Sequence, residues 1–378
     1  MAFGLYIHVP YCTVRCGYCD FNTYVLGSSD ALATYQEALE RELELATARL
    51  EAQGLLPDDG VSTIFVGGGT PSILGGEGLA QILAAVRHTM KIAPGAEVTT
   101  EANPETTSPE FFSTIRAHGF TRVSLGMQSV APHVLRVLDR RHTPGRSLDA
   151  AREALEAGFE HVNLDLIYAT PGETDDDVRR SVECALETGI DHLSAYSLIV
   201  EEGTALNRKI AHGELPRPSE EVMADRYEIV SDLAEQAGLH WYEVSNFAKP
   251  GGECLHNMGY WRSEPWWGAG PGAHSFVGKR RWMNEKLPVR YAARVSAGEL
   301  PVKSDEVLSD EDRYVEEVML RLRLAEGIRR DVVKESGQAQ IDRYVDAGLL
   351  EVEGDRVHVS MEGRLHADGI AADILFID

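Results

Sequence analysis

Three cysteines near the amino terminus have a spacing that suits metal chemistry. They are Cys12, Cys16 and Cys19, in a CxxxCxxC arrangement on a predicted loop after the first predicted strand. Thiolates at this spacing can each bind one iron at a corner of a cubane iron–sulfur cluster. With no fourth protein ligand nearby, one iron of a [4Fe–4S] cluster would remain open to a small chelating ligand. The alternative is zinc, which usually takes four ligands. His8 would then be the candidate fourth ligand, although a strand would point it away.

A glycine-rich turn and three polar side chains lie in or just after other predicted strands. The turn is Gly67–Pro71, with sequence GGGTP, and its bare backbone could approach a ligand closely. Tight turns between strands and helices also use glycine for their own geometry, so the turn alone is a weak indication. The polar side chains are Glu101, Gln128 and Asp165. Because the carboxyl ends of the strands in a parallel β/α barrel form one rim, we expect these residues and the cysteines on one ligand-binding face.

A third group of residues lies in a stretch rich in glycine, proline and aromatic residues. It contains His256–Trp261, with sequence HNMGYW, and Cys254 two positions earlier. By residue type alone, His256 and Cys254 could be ligands of a metal, and the rings of Tyr260 and Trp261 could pack on a bound ligand. In the alternative interpretation, the histidine and asparagine cap a turn while the two aromatic rings belong to the core.

The elements that must position these residues alternate between strand and helix over about the first 250 residues. This alternation favours a mostly parallel sheet. The clearest helix, Leu32–Leu50, has apolar residues at three- and four-residue steps, and Asp30 is its expected N-cap. The predicted strands are Leu5–Val9, Thr63–Val66, Glu97–Glu101, Arg122–Leu125, His161–Ile167, His192–Leu198 and Trp241–Val244.

The chain is expected to be an α/β protein with three parts. A partial (β/α) barrel spans residues 1–245, a connecting segment with the histidine motif spans 246–287, and a small helical, winged-helix-like domain spans 288–378. In the last part, helices are predicted near Asp310–Leu324 and Arg330–Ala347. A short hairpin with a Gly-Asp turn follows them.

Composition restricts the classes of partner. The chain has 378 residues and a net charge of −24, and such a surface repels the phosphates of nucleic acid. Five cysteines are too few for a disulfide scaffold of this length. No apolar run approaches the ~20 residues that span a bilayer, and no secretory signal is recognisable, so we expect a cytoplasmic protein. Transient membrane contact stays open, although no basic amphipathic segment demands it.

The cysteine motif after the first strand, followed by a β/α partial barrel, resembles the radical S-adenosylmethionine (SAM) superfamily. The resemblance implies that the amino and carboxylate groups of SAM chelate the open iron. It also implies that an electron from the reduced cluster breaks the S–C5′ bond to yield a 5′-deoxyadenosyl radical, for which an electron donor is needed. The SAM contacts of the family fall on Tyr6, Gly68, Gly69, Thr70, Glu101, Gln128, Arg140, Asp165 and Ile199. Arg140 would pair with the SAM carboxylate, and Ile199 would touch adenine.

Within this superfamily the chain resembles two related groups, the oxygen-independent coproporphyrinogen oxidases (HemN) and the haem chaperones (HemW). The oxidases have a CxxxCxxCxC motif, but Phe21 stands here in place of the last cysteine, and only eleven residues precede Cys12. His256–Trp261 matches the HNxxYW signature of the HemW group. The resemblance therefore implies a haem chaperone that binds haem near His256 and delivers it to acceptor proteins, such as respiratory ones. His256 would be an axial ligand of the haem iron, Cys254 could be a second soft ligand, and the rings of Tyr260 and Trp261 would pack on the macrocycle. The alternative is an oxidase that decarboxylates coproporphyrinogen in porphyrin biosynthesis.

Overall fold

A twelve-stranded sheet is the central feature of the computed structural model, which describes residues 2–140 and 142–376. The strands are β1 Gly4–Val9, β2 Tyr11–Cys12, β3 Tyr24–Val25, β4 Val61–Gly68, β5 Ile92–Ala102, β6 Arg122–Gln128, β7 His161–Tyr168, β8 His192–Ser197, β9 His240–Glu243, β10 Asn246–Ala248, β11 Trp266–Ala269, β12 His274–Val277, β13 Arg280–Asn284, β14 Val302–Val307, β15 Ile328–Arg329, β16 Leu350–Glu353 and β17 Arg356–Val359. The helices are α1 Ser29–Ala52, α2 Gly75–Thr89, α3 Pro109–His118, α4 Pro132–Val137, α5 Arg146–Glu156, α6 Asp175–Leu186, α7 Ala205–Ala211, α8 Glu220–Gln236, α9 Leu255–Trp261, α10 Pro288–Ser296, α11 Asp310–Arg321, α12 Glu335–Asp346 and α13 Ala367–Leu375.

The predicted α/β fold with a mostly parallel sheet is confirmed. The order of the large sheet is β14-β13-β12-β11-β1-β4-β5-β6-β7-β8-β10-β9. From β1 to β8 each neighbouring pair in this order is parallel, so the carboxyl ends of these strands lie on one rim. Strand β6 is buried along its whole length, as expected for a strand covered on both faces.

The N-cap of the first helix lies two residues earlier than predicted. Its N-cap is Ser28, and the predicted cap Asp30 lies in the first turn, where a negative charge interacts favourably with the helix dipole. The apolar face that the spacing predicts, including Leu39, Leu43 and Leu50, is buried in the main hydrophobic cluster. This helix therefore covers the outer face of the sheet.

The sheet continues past β1 through residues that the sequence assigned elsewhere. Strand β11 pairs in parallel with β1, with Tyr6 opposite Gly268, and β12, β13 and β14 follow as antiparallel neighbours. The segment 246–287, expected to be a connection, thus supplies three strands of the large sheet beside β1, and β14 lies inside the expected small domain. Local patterns do not show this arrangement, because the partner of β11 lies more than 250 residues earlier in the chain.

The C-terminal part has helices on a small sheet, ordered β15-β17-β16. The predicted hairpin is present as β16 and β17, with Gly354 at a φ of 64° in its turn. The second predicted helix is shorter than expected, because Arg330–Val332 forms a 3-10 turn and α12 starts only at Glu335. Buried residues of this part, such as Ile341 and Ile370, belong to the same hydrophobic cluster as the barrel core.

None of the helices in the described ranges combines the length and apolarity needed to cross a membrane.

Candidate cofactor site

The cysteine loop lies at the carboxyl ends of the strands and is tied to its surroundings through the backbone. The Gly17 N–H donates to the Leu138 carbonyl at 3.2 Å, and the Leu206 N–H donates to the Gly17 carbonyl at 2.8 Å. Cys12, Cys16 and Cys19 all line one cavity of about 220 Å³. The loop therefore presents its three thiols to a common space.

The thiols of this loop need electrostatic compensation to become thiolates. Burial raises the pKa of Cys12 and of Cys19. The Arg140 guanidinium donates to the Cys16 sulfur at 3.1 Å. No three Cys, His, Asp or Glu side chains in residues 2–140 and 142–376 converge on a single metal ion. A cubane cluster asks for a different arrangement, because each thiolate binds its own iron.

The glycines of the turn at the end of β4 are needed because other atoms pack closely against the backbone there. Gly68 has a φ of 110°, and a side chain there would meet the His8 ring at 2.6 Å. A side chain at Gly69 would meet the Tyr11 carbonyl oxygen at 2.5 Å. The Gly68 N–H donates to the Glu101 carboxylate at 2.9 Å. Glycine in this turn therefore allows close packing, and the turn also forms one wall of the cavity.

Two carboxyl groups, those of Glu101 and Asp165, lie close together in the cavity. Neither forms an ion pair with a basic side chain in the described residues, 2–140 and 142–376. Desolvation, and then the charge of Asp165, raises the pKa of Glu101 to about 8. Burial likewise raises the pKa of Asp165, whose oxygens accept hydrogen bonds from Asn163 at 2.7 Å and Ser124 at 3.1 Å. Both carboxyl groups are therefore suited to bind hydroxyl or ammonium groups of a ligand, which would replace lost solvation.

The residues expected to contact SAM lie around two adjoining cavities. The cysteine cavity is lined by Gly68, Gly69, Thr70, Glu101, Gln128, Arg140 and Asp165. Tyr6 and Ile199 line a larger neighbouring chamber of about 820 Å³, which shares Glu101, Gln128 and Asp165 with the first cavity. Gln128 has a φ of 68°, a left-handed conformation that residues other than glycine adopt with strain and that is common at ligand sites.

The histidine motif forms α9 at the opposite ends of the strands. The His256 Nδ1 lies 2.9 Å from the Thr63 hydroxyl and its Nε2 lies 2.7 Å from the Tyr260 hydroxyl. Its ring stacks on Phe65, with centroids 5.3 Å apart, and burial lowers its pKa to about 3. His256 is therefore a buried, neutral group with both ring nitrogens in hydrogen bonds.

The other residues of the motif divide between the chamber and the core. Tyr260 and Cys254 line the chamber, so α9 forms part of its floor. Cys254 is the N-cap residue of α9, and burial raises the pKa of its thiol. Trp261 packs instead against a separate apolar cluster that contains Tyr242 and Leu324.

The comparisons with known proteins agree with this geometry. Residues 6–185 match the Radical SAM superfamily, and residues 308–366 match the HemN C-terminal domain. The chain is 52% identical over 375 residues to "Heme chaperone HemW" of Mycobacterium tuberculosis, which covers 99% of this chain and 95% of the relative. This chain belongs to the HemW family of radical SAM proteins. A second HemW, from Bacillus subtilis, is 33% identical over 369 residues, covering 95% of this chain and 96% of the relative.

The HemW family shares its fold with a solved oxidase. The structure titled "Coproporphyrinogen III oxidase (HemN) from Escherichia coli is a Radical SAM enzyme" matches with a TM-score of 0.83 and 22% identity, over 99% of this chain and 90% of that one. At this identity the match shows the fold alone. Membership of the radical SAM superfamily implies a [4Fe–4S] cluster and SAM.

Two buried residues that sequence reasoning missed hold the HemW motif in place. Glu97 and Arg122 form an ion pair at 3.0 Å, with exposed side-chain fractions of 5% and 2%. The Glu97 carboxylate also accepts from the backbone N–H groups of Leu255 and His256, each at 3.0 Å. Both charged residues begin predicted strands at the end away from the cysteines. A charge at the start of a buried strand is the signal that could have found them, because such charges need a partner.

Proposed function

We propose that this chain is a haem chaperone that carries a [4Fe–4S] cluster and SAM, binds haem and transfers it to acceptor proteins. The observation that carries the proposal is the arrangement of Cys12, Cys16, Cys19 and most of the expected SAM contacts around one cavity, beside a chamber of about 820 Å³ that the remaining two contacts line. The HemW name of the relatives supports the haem part. A cytoplasmic location is part of the same proposal.

The residues present fit the cluster and SAM chemically. Three thiols would bind three irons, and Arg140, which already donates to Cys16, would offset their negative charge. Glu101 and Asp165 would accept hydrogen bonds from SAM, which would lower the cost of their desolvation. The cluster, when bound, supplies an electron to SAM.

The chamber next to this cavity is the proposed location of haem. Its floor includes Tyr260, and its mouth includes the exposed side chains of Phe21 and Ile199. Apolar walls with a few polar groups are typical of sites for large planar ligands. For His256 to bind haem iron through Nε2, the Tyr260 hydroxyl would have to move away, because it occupies that nitrogen.

Phe21 argues against the oxidase alternative. Its side chain is 59% exposed and lines both cavities, at the position where the oxidases have a cysteine. A phenyl ring can neither donate a proton nor bind a metal. The site therefore favours holding a tetrapyrrole over decarboxylating one.

An electron donor is proposed to dock outside the cysteine loop. A groove of about 520 Å³ is lined there by Cys16, Cys19 and three exposed arginines, Arg15, Arg136 and Arg208. Arg15 and Arg208 donate to backbone carbonyl oxygens, and none of the three forms an ion pair with a carboxylate in the described ranges. Such a groove suits an acidic carrier protein.

The first experiment is anaerobic reconstitution with iron and sulfide, followed by haem titration. We expect about four irons per chain and a haem absorbance band that saturates at one haem per chain. Cys16→Ser should lose iron, whereas Cys184→Ser, on α6 outside the site, should keep it. If wild type binds no haem but consumes coproporphyrinogen when SAM and a reductant are added, the chain is an oxidase and the chaperone proposal is wrong.

A further inference from the structure

A cleft of about 700 Å³ lies between the mouth of the barrel and the C-terminal domain. The barrel contributes Tyr227, Trp241 and Ile199 to it, and the C-terminal domain contributes Arg364 and Leu365. Ile199 also lines the haem-sized chamber, as do three other residues of the cleft, Ser197, Val244 and Ser245. A ligand in the chamber could therefore extend into this cleft.

Arg364 is a cation in this cleft without an anionic partner among residues 2–140 and 142–376. Its guanidinium lies over the Trp241 ring, 4.0 Å from the ring centroid, and its Nη1 contacts the weakly accepting sulfur of Met361 at 3.1 Å. By contrast, Arg323 on the same cleft pairs with Asp368 at 2.5 Å. In a chain with a net charge of −24, an unpaired and partly buried guanidinium is unusual.

Two further donors around Arg364 also lack acceptors. The Tyr227 hydroxyl, the Trp241 Nε1 and the Arg364 Nε are all buried, and no acceptor for their protons lies in the described part of the chain. The Tyr227 oxygen lies beside the Arg364 guanidinium, whose charge opposes the rise in the pKa of Tyr227 that burial causes. Tyr227 and Trp241 are each only 6% exposed. Unsatisfied buried donors destabilise a fold, so three of them along one cleft indicate a missing group that is rich in acceptors.

The chemistry of the cleft defines the class of that group. Stacking on Trp241 orients the planar guanidinium, whose fork of N–H groups matches a carboxylate. The walls also carry exposed apolar side chains, with Ile199 65%, Val244 41% and Leu365 45% exposed. The ligand should therefore combine an apolar body with at least one carboxylate.

We propose that this cleft is a carboxylate subsite in which Arg364, backed by Tyr227 and Trp241, binds a propionate of a tetrapyrrole whose macrocycle lies in the adjoining chamber. The assignment rests on the proposed haem function and specifies how the ligand is oriented. The C-terminal domain would then take part directly in ligand binding, because it supplies the guanidinium.

The test compares haem with haem whose propionates are esterified, titrated into the reconstituted chain and followed by absorbance. Arg364→Gln should weaken haem binding about tenfold through the loss of a charge-assisted bidentate contact, and should leave binding of the ester unchanged. Arg313→Gln removes an exposed charge of the same domain, on α11 away from the cleft, and should change the affinity for neither haem nor the ester. Tyr227→Phe should weaken haem binding and leave binding of the ester unchanged, since the hydroxyl lies beside the Arg364 guanidinium and no acceptor takes its proton.

Each result decides a different question. Equal haem affinity in wild type and Arg364→Gln, or an equal loss for haem and ester, overturns the carboxylate subsite while the haem function stands. Equal haem affinity in wild type and Tyr227→Phe shows that the hydroxyl takes no part in the subsite. If wild type binds no haem, the proposed function fails and this assignment fails with it.

Discussion

The imidazole of His256 combines two hydrogen bonds with complete enclosure by protein. Thr63 and Tyr260 occupy its two nitrogens, and only 3% of the residue is exposed. Burial holds its pKa near 3, compared with about 6.5 for an exposed histidine. A group that stays neutral in the folded chain but gains a proton in the unfolded chain links stability to pH.

The free energy of unfolding should therefore fall as the pH drops below about 6.5. In this range the unfolded chain binds a proton at His256, whereas the folded chain binds it only near pH 3. His256→Gln lacks this proton. The free energy of unfolding of this variant should be about 1–3 kcal/mol below that of wild type at pH 8, and this difference should be about 1.4 kcal/mol smaller at pH 5.5. Urea unfolding of both reconstituted proteins at the two pH values measures this.

The exposed His88 provides the matched control for this pH effect. His88→Gln should differ from wild type by less than about 0.5 kcal/mol at both pH values. A difference between wild type and His256→Gln that stays constant with pH would contradict the buried, neutral assignment of His256.

Helix α9, at the scale of elements, depends on tertiary contacts for its existence. It has seven residues, too few to be stable alone. The Glu97 carboxylate of β5 accepts from its first N–H groups, and Arg122 of β6 donates to the carbonyl oxygens of Gly252 and Glu253 just before it. The ion pair between these strands therefore sets the position of the HNxxYW motif.

Glu97→Gln should destabilise the chain by about 3–5 kcal/mol, because it leaves Arg122 buried without a counter-charge. Asp149→Asn breaks an exposed ion pair with Arg152 and should change stability by less than about 1 kcal/mol. Urea unfolding followed by circular dichroism compares the two variants. An equal decrease in the free energy of unfolding in Glu97→Gln and Asp149→Asn would show that the buried ion pair does not anchor α9.

The distribution of charge over the whole molecule also has a functional consequence. The net charge is −24, yet the groove beside the cysteine loop carries Arg15, Arg136 and Arg208 in exposed positions. Val14, 51% exposed, lies among them. A positive surface on a negative molecule would orient the proposed acidic electron donor toward the cysteine loop, and salt would weaken the attraction.

Reversing the three groove charges, Arg15→Glu, Arg136→Glu and Arg208→Glu together, should slow cluster reduction by a flavodoxin at least tenfold at low salt. Reduction by dithionite, which needs no docking, should proceed at the wild-type rate. The same triple reversal at the exposed Arg49, Arg290 and Arg313 controls for net charge. Bleaching of the cluster absorbance gives the rates. A flavodoxin rate that falls equally in both triple variants would exclude this groove as the docking surface.

Local sequence patterns determined the parts of this protein that depend on short-range order. The spacing of Cys12, Cys16 and Cys19 predicts a shared ligand, because the five residues between them cannot separate them far. Alternating strands and helices predict the parallel core and its single functional rim, where the structure places Glu101 and Asp165. The face of α1 follows from its apolar period in the same way.

Tertiary structure alone decided the rest, because it depends on residues far apart in the chain. Strand β11 extends the sheet by pairing with β1, so a segment that reads as a connection is part of the barrel wall. The same folding buries His256 against Thr63, 193 residues earlier, and brings Arg364 over Trp241 at the barrel mouth. Side-chain type predicts what such residues can bind, but only long-range packing determines whether they face a ligand, a partner side chain or the core.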